Sequence, residues 1–247
     1  MQPAQQIRAA ISEVERLRQD TVASPALGRA VSEVKRLQAR RFAGSYADLM
    51  ASGPYAAPAR FFLEELYSDR DYSERDGQFA RIAGAIDKLF PAGPAETAAA
   101  LARLHALTEA LDHRLARAWL DAGDADGDPA ERYARAWRAA GSRADRETQL
   151  SEVLGIGRRM VTLTRKPGLR TLLRMMRKPA SSAGLAALQH FLETGFDTFA
   201  AMGRTPPGAE GFLAVVEQRE SALLEALFEA DLVACVTGLR SILGQAR

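Results

Sequence analysis

The chain has 247 residues and 26.8 kDa, with 47% hydrophobic residues, 26% charged residues and a net charge of +2. Such a chain can bury a large core without disulfides, and the composition excludes the disordered and collagen-like classes. The single cysteine, Cys235, excludes an internal disulfide and thiolate metal sites, and three histidines leave little room for a histidine-rich centre. The absence of asparagine also excludes N-glycosylation and Asn-based chemistry.

The N-terminal segment MQPAQQIRAAISEVERLRQD carries charges throughout and lacks the apolar core of a signal peptide. The longest uncharged run, 179–192, is interrupted by Pro, Ser, Gly, Gln and His, so no membrane span is expected, and the cytoplasm is the expected location. Ile7, Ile11, Val14 and Leu17 recur at helical spacing, as do Leu27, Val31, Val34 and Leu37. ISEVERLR at 11–18 is echoed by VSEVKRLQ at 31–38, with Ser24 placed to cap and Pro25 to open a second helix; an αα-hairpin is expected.

Residues 60–82, RFFLEELYSDRDYSERDGQFARI, are the most distinctive. On a helical wheel Phe62, Leu63, Leu66 and Tyr67 form an apolar face and Phe61 falls beside it. Phe61 is therefore expected either to be covered on a second side or to be offered to a ligand or partner. Glu64, Glu65, Asp69, Asp71, Glu74 and Asp76, opposed by Arg70 and Arg75, make an acidic stretch. If partly buried, Glu65 needs a cation such as Arg75 or Arg81.

Further along, Ser73-Glu74-Arg75-Asp76 and Ser142-Arg143-Ala144-Asp145 read as capping boxes, while Gly93-Pro94-Ala95-Glu96 and Asp128-Pro129-Ala130-Glu131 place Pro and Glu as helix openers. The stretch 121–128, DAGDADGD, is the most loop-like. Aligned as a calcium loop it offers Asp124 and Asp126, but Ala122 and Tyr133 stand where the first ligand and the bidentate glutamate belong. A turn capping the next helix is expected instead. Pro167-Gly168, Lys178-Pro179 and Pro206-Pro207-Gly208 break the later segments. The sum is an all-α, multi-helix bundle of about nine or ten helices without significant β-sheet. It is read as one helical domain, 1–247, with a seam expected at 121–128.

From Val153 to Leu192 there is no acid, yet eight cations give +8 and leave −6 for the rest of the chain. Residues 147–166 resemble a helix-turn-helix, with a turn at Leu154, Gly155 and Ile156 and with Arg158, Arg159, Thr162, Arg165 and Lys166 facing nucleic acid. The segment 168–178 reads as a basic amphipathic helix, with Leu169, Leu172, Leu173 and Met176 set against Arg170, Arg174 and Arg177.

Metal and nucleophile patterns are weak. Glu109 with His113 and His190 with Glu193 share helix faces, but neither matches the Glu-x-x-His pattern of carboxylate-bridged centres. His105 reads as a core or boundary histidine, Cys235 as a buried inert thiol, and GIGRRM at 155–160 lacks the third glycine and the preceding strand of a dinucleotide loop. No catalytic residue, metal or cofactor is assigned.

The run Phe61-Phe62-Leu63-Glu64-Glu65-Leu66-Tyr67 resembles, at all seven positions, the heptapeptide that names the uncharacterised bacterial FFLEELY-motif proteins. That resemblance implies no substrate, cofactor or catalytic residue. The expected function is therefore non-enzymatic binding of a protein partner or of a second copy. The acidic-aromatic residues Phe61, Glu64, Glu65, Tyr67, Asp69, Arg70, Asp71, Arg75 and Asp76 form one expected surface. Arg158, Arg159, Arg165, Lys166, Arg170, Arg174, Arg177 and Lys178 form the other. The alternatives are DNA binding through 147–166, and an enzyme or small-molecule site built on Glu64, Glu65, Glu109, His113, His190 and Glu193.

Overall fold

Helix signals in the sequence become helices almost throughout. The computed structural model describes residues 2–66, 72–89 (the backbone alone over 85–89), 91–123, 127–204 and 206–246, and among these there is no β-strand. The helices are α1 Pro3–Ala23, α2 Pro25–Ser45, α3 Ala47–Ala51, α4 Ala56–Glu65, α5 Ser73–Leu89, α6 Ala92–Asp121 and α7 Pro129–Ala140. They continue with α8 Arg143–Thr164, α9 Leu169–Met175, α10 Arg177–Ser182, α11 Ala186–Met202, α12 Gly208–Phe228 and α13 Leu232–Gln245. Among the described residues this makes thirteen segments, or twelve if α9 and α10, parted only by Met176, are taken as one bent helix. Either count corrects the nine or ten read from breakers. The excess comes from short pieces such as α3 and α10, which are too brief to carry a periodic signal.

Local chemistry explains several of the boundaries. The Ser24 hydroxyl accepts from Leu27 N at 3.4 Å and Pro25 opens α2. The Asp128 carboxylate accepts from Ala130 N and Glu131 N at 3.2 and 3.1 Å ahead of Pro129, so this aspartate caps α7; Asp124 and Asp126 lie outside the described residues. Ser142 differs from the expected capping box. It has φ 73°, and its hydroxyl donates back to Ala140 O at 3.2 Å, while Asp145 accepts from Arg114 at 2.6 Å. The basic segment 168–178 also breaks, at Met176. A helix continued through Pro179 would drive its ring into the Met175 carbonyl, whereas a restart at Arg177 puts the proline in a first turn, where its missing N–H costs nothing.

The chain divides into two compact units: Met1–Val14, Arg70–Ala106 and Glu152–Leu213 form the first; Glu15–Asp69, Leu107–Ser151 and Ala214–Arg247 form the second. The helices α1, α6, α8 and α12 contribute residues to both, and the stretch 121–128 falls inside the second. In the first unit α11 packs on α5, α9 and α10. In the second, α13 packs on α2 and α7 around a core that includes Val34, Leu115, Trp119, Tyr133, Trp137 and Leu227. Gly44 sets the α2–α13 approach, since a Cβ there would collide with the Ile242 backbone carbonyl.

Candidate functional site

The C-terminal half of α8 is where the cations begin. Leu154, Gly155 and Ile156 lie inside this unbroken helix, so the helix-turn-helix expected over 147–166 is not formed. Neither Gly155 nor Gly157 has a positive φ, and both glycines stay helical. Gly157 serves packing: a Cβ there would stand 2.5 Å from Leu213 Cδ2, so the missing side chain admits Leu213. Val153, Leu154, Ile156, Val161 and Leu163 are buried, and this leaves Arg158, Arg159, Thr162, Arg165 and Lys166 on the exposed side.

Gly168, at φ 80°, ends the turn after α8 and starts α9. Leu169 and Leu173 of this seven-residue helix turn inward, while Arg170, Arg174 and the following Arg177 and Lys178 are exposed. Leu172 and Met175 stand among these cations, 36% and 70% exposed, so the face is both basic and apolar. Three polar clasps hold the segment to α11. Arg170 donates to both Asp197 oxygens at 2.8 and 3.1 Å, Arg177 Nε donates to Glu193 at 2.7 and 2.9 Å, and Gln189 Nε2 donates to Leu173 O at 2.7 Å. The guanidinium bonds hold the Asp197 and Glu193 carboxyls below their ordinary range. By contrast, Arg165, Lys166 and Lys178 have no ion-pair partner among the described residues.

Behind α9 lies a cavity of about 80 Å³ whose walls include Phe79, Leu101, Met160, Leu163, Leu173 and Phe196. The one polar side chain in the lining, Thr97, already donates its hydroxyl to Gly93 O at 2.8 Å. Cations stand at the edge. Lys166 Nζ is 3.4 Å and Leu163 Cδ2 3.6 Å from the point where a Gly93 Cβ would sit, and Arg159 donates to Glu96 O at 3.4 Å.

Among the described residues of the acidic-aromatic segment, Phe61, Phe62 and Asp76 are buried. Phe61 is 9% and Phe62 3% exposed, with ring centroids 6.2 Å apart, so Phe61 is covered and not offered to solvent; Leu63 and Leu66 are only half-buried. Glu64 is exposed and Glu65 half-buried. In the first unit Arg75 is sandwiched between Tyr72 and Phe191, 4.1 and 4.6 Å from the ring centroids, and Asp76 is buried against His105 Nε2 at 2.9 Å. A cation between two aromatic faces and a carboxylate on an imidazole are already satisfied groups. Tyr67, Asp69, Arg70 and Asp71 lie outside the described residues. Of the expected acidic-aromatic residues, Phe61 in the second unit and Asp76 in the first are therefore buried, while Glu64 is exposed.

Both carboxylates of the histidine and carboxylate pairs are engaged, while His113 Nε2 is buried without a hydrogen-bond partner among the described residues. Glu109 accepts from Lys35 at 2.5 Å, Glu193 from Arg177, and His113 Nδ1 from Arg117 at 3.4 Å; burial and the Arg117 charge push the His113 pKa down. His190 is exposed. Among the described residues no group of three His, Cys, Asp or Glu side chains is gathered to hold a metal. Burial raises the Cys235 thiol pKa, as for an inert core cysteine.

What the sequence reading missed is a charged interior in the second unit. Gln38 Nε2 donates to Asp112 at 2.9 Å, and Arg41 and the Tyr46 hydroxyl donate to Glu220 at 2.6 and 2.9 Å. Arg146 lies 4.2 Å above the Trp137 ring. Burial drives the Asp112 carboxyl upward; Lys35 is raised against its own burial by Glu109 and Asp112. The available signal was the spacing Lys35, Gln38, Arg41, a polar row at i, i+3, i+6 beside Val34 and Leu37.

The fold and these sites define an all-α protein with one buried ionic core and one basic face over an apolar cavity. The family described as "Domain of unknown function (DUF8198)" matches residues 17–233, and the chain belongs to it. No curated protein and no solved structure matches the chain. No helix among the described residues is long and apolar enough to cross a membrane.

Proposed function

We propose that this is a non-enzymatic helical binding protein of the bacterial cytoplasm that engages an acidic protein surface through residues 158–178. The observation that carries this reading is the exposure of Arg158, Arg159, Arg165, Lys166, Arg170, Arg174, Arg177 and Lys178 in a stretch without acids, with Leu172 and Met175 open between them. Aliphatic side chains among cations suit an acidic protein face, which offers both carboxylates and apolar groups, better than a phosphate backbone. The unbroken α8 also lacks the helix-turn-helix on which the DNA alternative rested. The candidate catalytic carboxylates Glu109 and Glu193 are engaged by Lys35 and Arg177, which favours binding over chemistry. The likeness of Phe61–Tyr67 to the FFLEELY-motif proteins adds no ligand to this reading.

The test is calorimetric titration with poly-glutamate as an acidic polypeptide. The wild type should bind, and binding should weaken as salt rises. Lys166→Glu with Lys178→Glu, two cations without ion pairs among the described residues, should weaken binding about tenfold or more, a change of about 1.4 kcal/mol, with the circular dichroism unchanged. Equal binding by the double variant, or preference for a DNA duplex over poly-glutamate, would overturn the reading.

A further inference from the structure

We infer that the cavity behind α9 is a binding site for the alkyl end of an anionic amphiphile, a fatty carboxylate whose head group rests on Lys166. The walls carry the first half of the argument. Apart from Thr97, whose hydroxyl is committed to Gly93 O, the lining is apolar: Ile82, Leu101, Met160, Leu163, Leu173 and Phe196 among others. A peptide segment entering here would bring N–H and C=O groups that these walls cannot satisfy, at a cost that an alkyl chain does not incur. The volume, about 80 Å³, is roughly half of the ~150 Å³ cavity that accepts benzene. It therefore suits the last few carbons of a chain and not a ring system. Ile82, Leu101, Met160, Leu169, Leu173 and Leu192 are half-buried, so the cavity reaches the surface and the remaining carbons have a way out.

The rim carries the second half. Lys166 lies against Gly93, next to the lining residue Pro94 and beside the lining residue Leu163. Its ammonium has no ion pair among the described residues, whereas Arg170 is neutralised by Asp197 and Arg177 by Glu193. An uncommitted cation at the mouth of an uncharged chamber selects a molecule with an anion at one end and hydrocarbon at the other. Arg159 and Arg165, also exposed on this stretch, add to the same field, while Asp197 and Glu193 are the carboxylates on α11 that oppose it.

The site is distinct from the acidic partner proposed above, although it shares Lys166 with that face. The experiment is titration calorimetry of the full chain with sodium butyrate, hexanoate and octanoate, and with neutral octanol. Octanoate should bind one to one, and affinity should rise about fourfold per methylene until the chamber is full. Ala98→Leu and Met160→Trp, which fill the chamber from two walls, should each lower octanoate affinity at least tenfold. Lys166→Glu should weaken octanoate but leave octanol unchanged. Poly-glutamate binding by Ala98→Leu should equal that of the wild type, because every outer cation is kept; this separates failure of the cavity from failure of the partner reading. The inference is overturned if octanoate does not bind at millimolar concentration, if both filled variants bind it as the wild type does, or if Lys166→Glu weakens octanoate and octanol alike.

Discussion

In the second unit the cations Lys35, Arg41 and Arg146 are turned inward, against Glu109, Glu220 and the Trp137 ring, whereas in the first unit Arg165, Lys166, Arg174 and Lys178 stand in solvent. The same residue types do opposite work. A buried cation is costly unless held by a partner, so its position specifies the packing and leaves nothing for a ligand. An exposed cation adds little to stability and stays free to meet an incoming anion. Charge alone therefore does not mark a binding face; under the proposed function, charge left uncommitted does.

The largest expected effect breaks the inward arrangement. Glu220→Ala removes the carboxylate shared by Arg41 and the Tyr46 hydroxyl and should cost about 3–5 kcal/mol in urea unfolding, whereas Arg41→Met with Glu220→Gln, which keeps an acceptor for Tyr46, should recover most of that loss. Disruption of the outer clasp by Asp197→Asn should leave the melting temperature within experimental scatter. If the two single variants cost the same, the contrast between the units fails.

Packing sharpens it next. Gly44→Ala should cost about 2–3 kcal/mol, because the new methyl meets the fixed Ile242 carbonyl. Gly157→Ala in the first unit should cost less, since the obstructing Leu213 methyls end a flexible side chain and can swing away. Paired thermal melts compare the two directly.

The smallest effect is a difference in pH dependence. Asp112 has its pKa raised by burial, so its contribution to stability is full below the ordinary carboxylate range near pH ~3.9 and is lost as pH rises through the folded value. Asp112→Asn should flatten that part of the stability profile above pH ~4. Asp197 and Glu193 have lowered values, so their contribution is present above pH ~4 and is lost as pH falls through the folded values. Hydrogen exchange should therefore show α9 and α10 loosening on acidification below pH ~4, while the Asp112 region gains protection.

The all-α architecture was legible because Leu and Ala recur at helical spacing and because Ser24-Pro25 and Asp128-Pro129 announce their helices chemically. Ser142 misled because a capping box needs an extended backbone at its first residue, and this serine adopts a positive φ instead. The turn was read at Leu154, Gly155 and Ile156, and a sequence does not distinguish a glycine that bends the chain from one that, like Gly155, stays inside a helix. Phe61 was seen to lie off the main apolar stripe, but which of its two expected fates held depends on neighbours far along the chain. The basic stretch itself was plain from the absence of acids between Val153 and Leu192. Which of its arginines are committed was not, since Asp197 and Glu193 meet Arg170 and Arg177 only across 27 and 16 residues. The cavity could not be read at all, because a void is a property of helices drawn together and not of any one segment.

Hydrogen-exchange mass spectrometry of the full chain with and without poly-glutamate decides whether residues 158–178 are the binding face. Slower exchange confined to peptides covering 158–178, and abolished by Lys166→Glu with Lys178→Glu, is the predicted result; no protection there, or protection centred on α2 and α13, would contradict it.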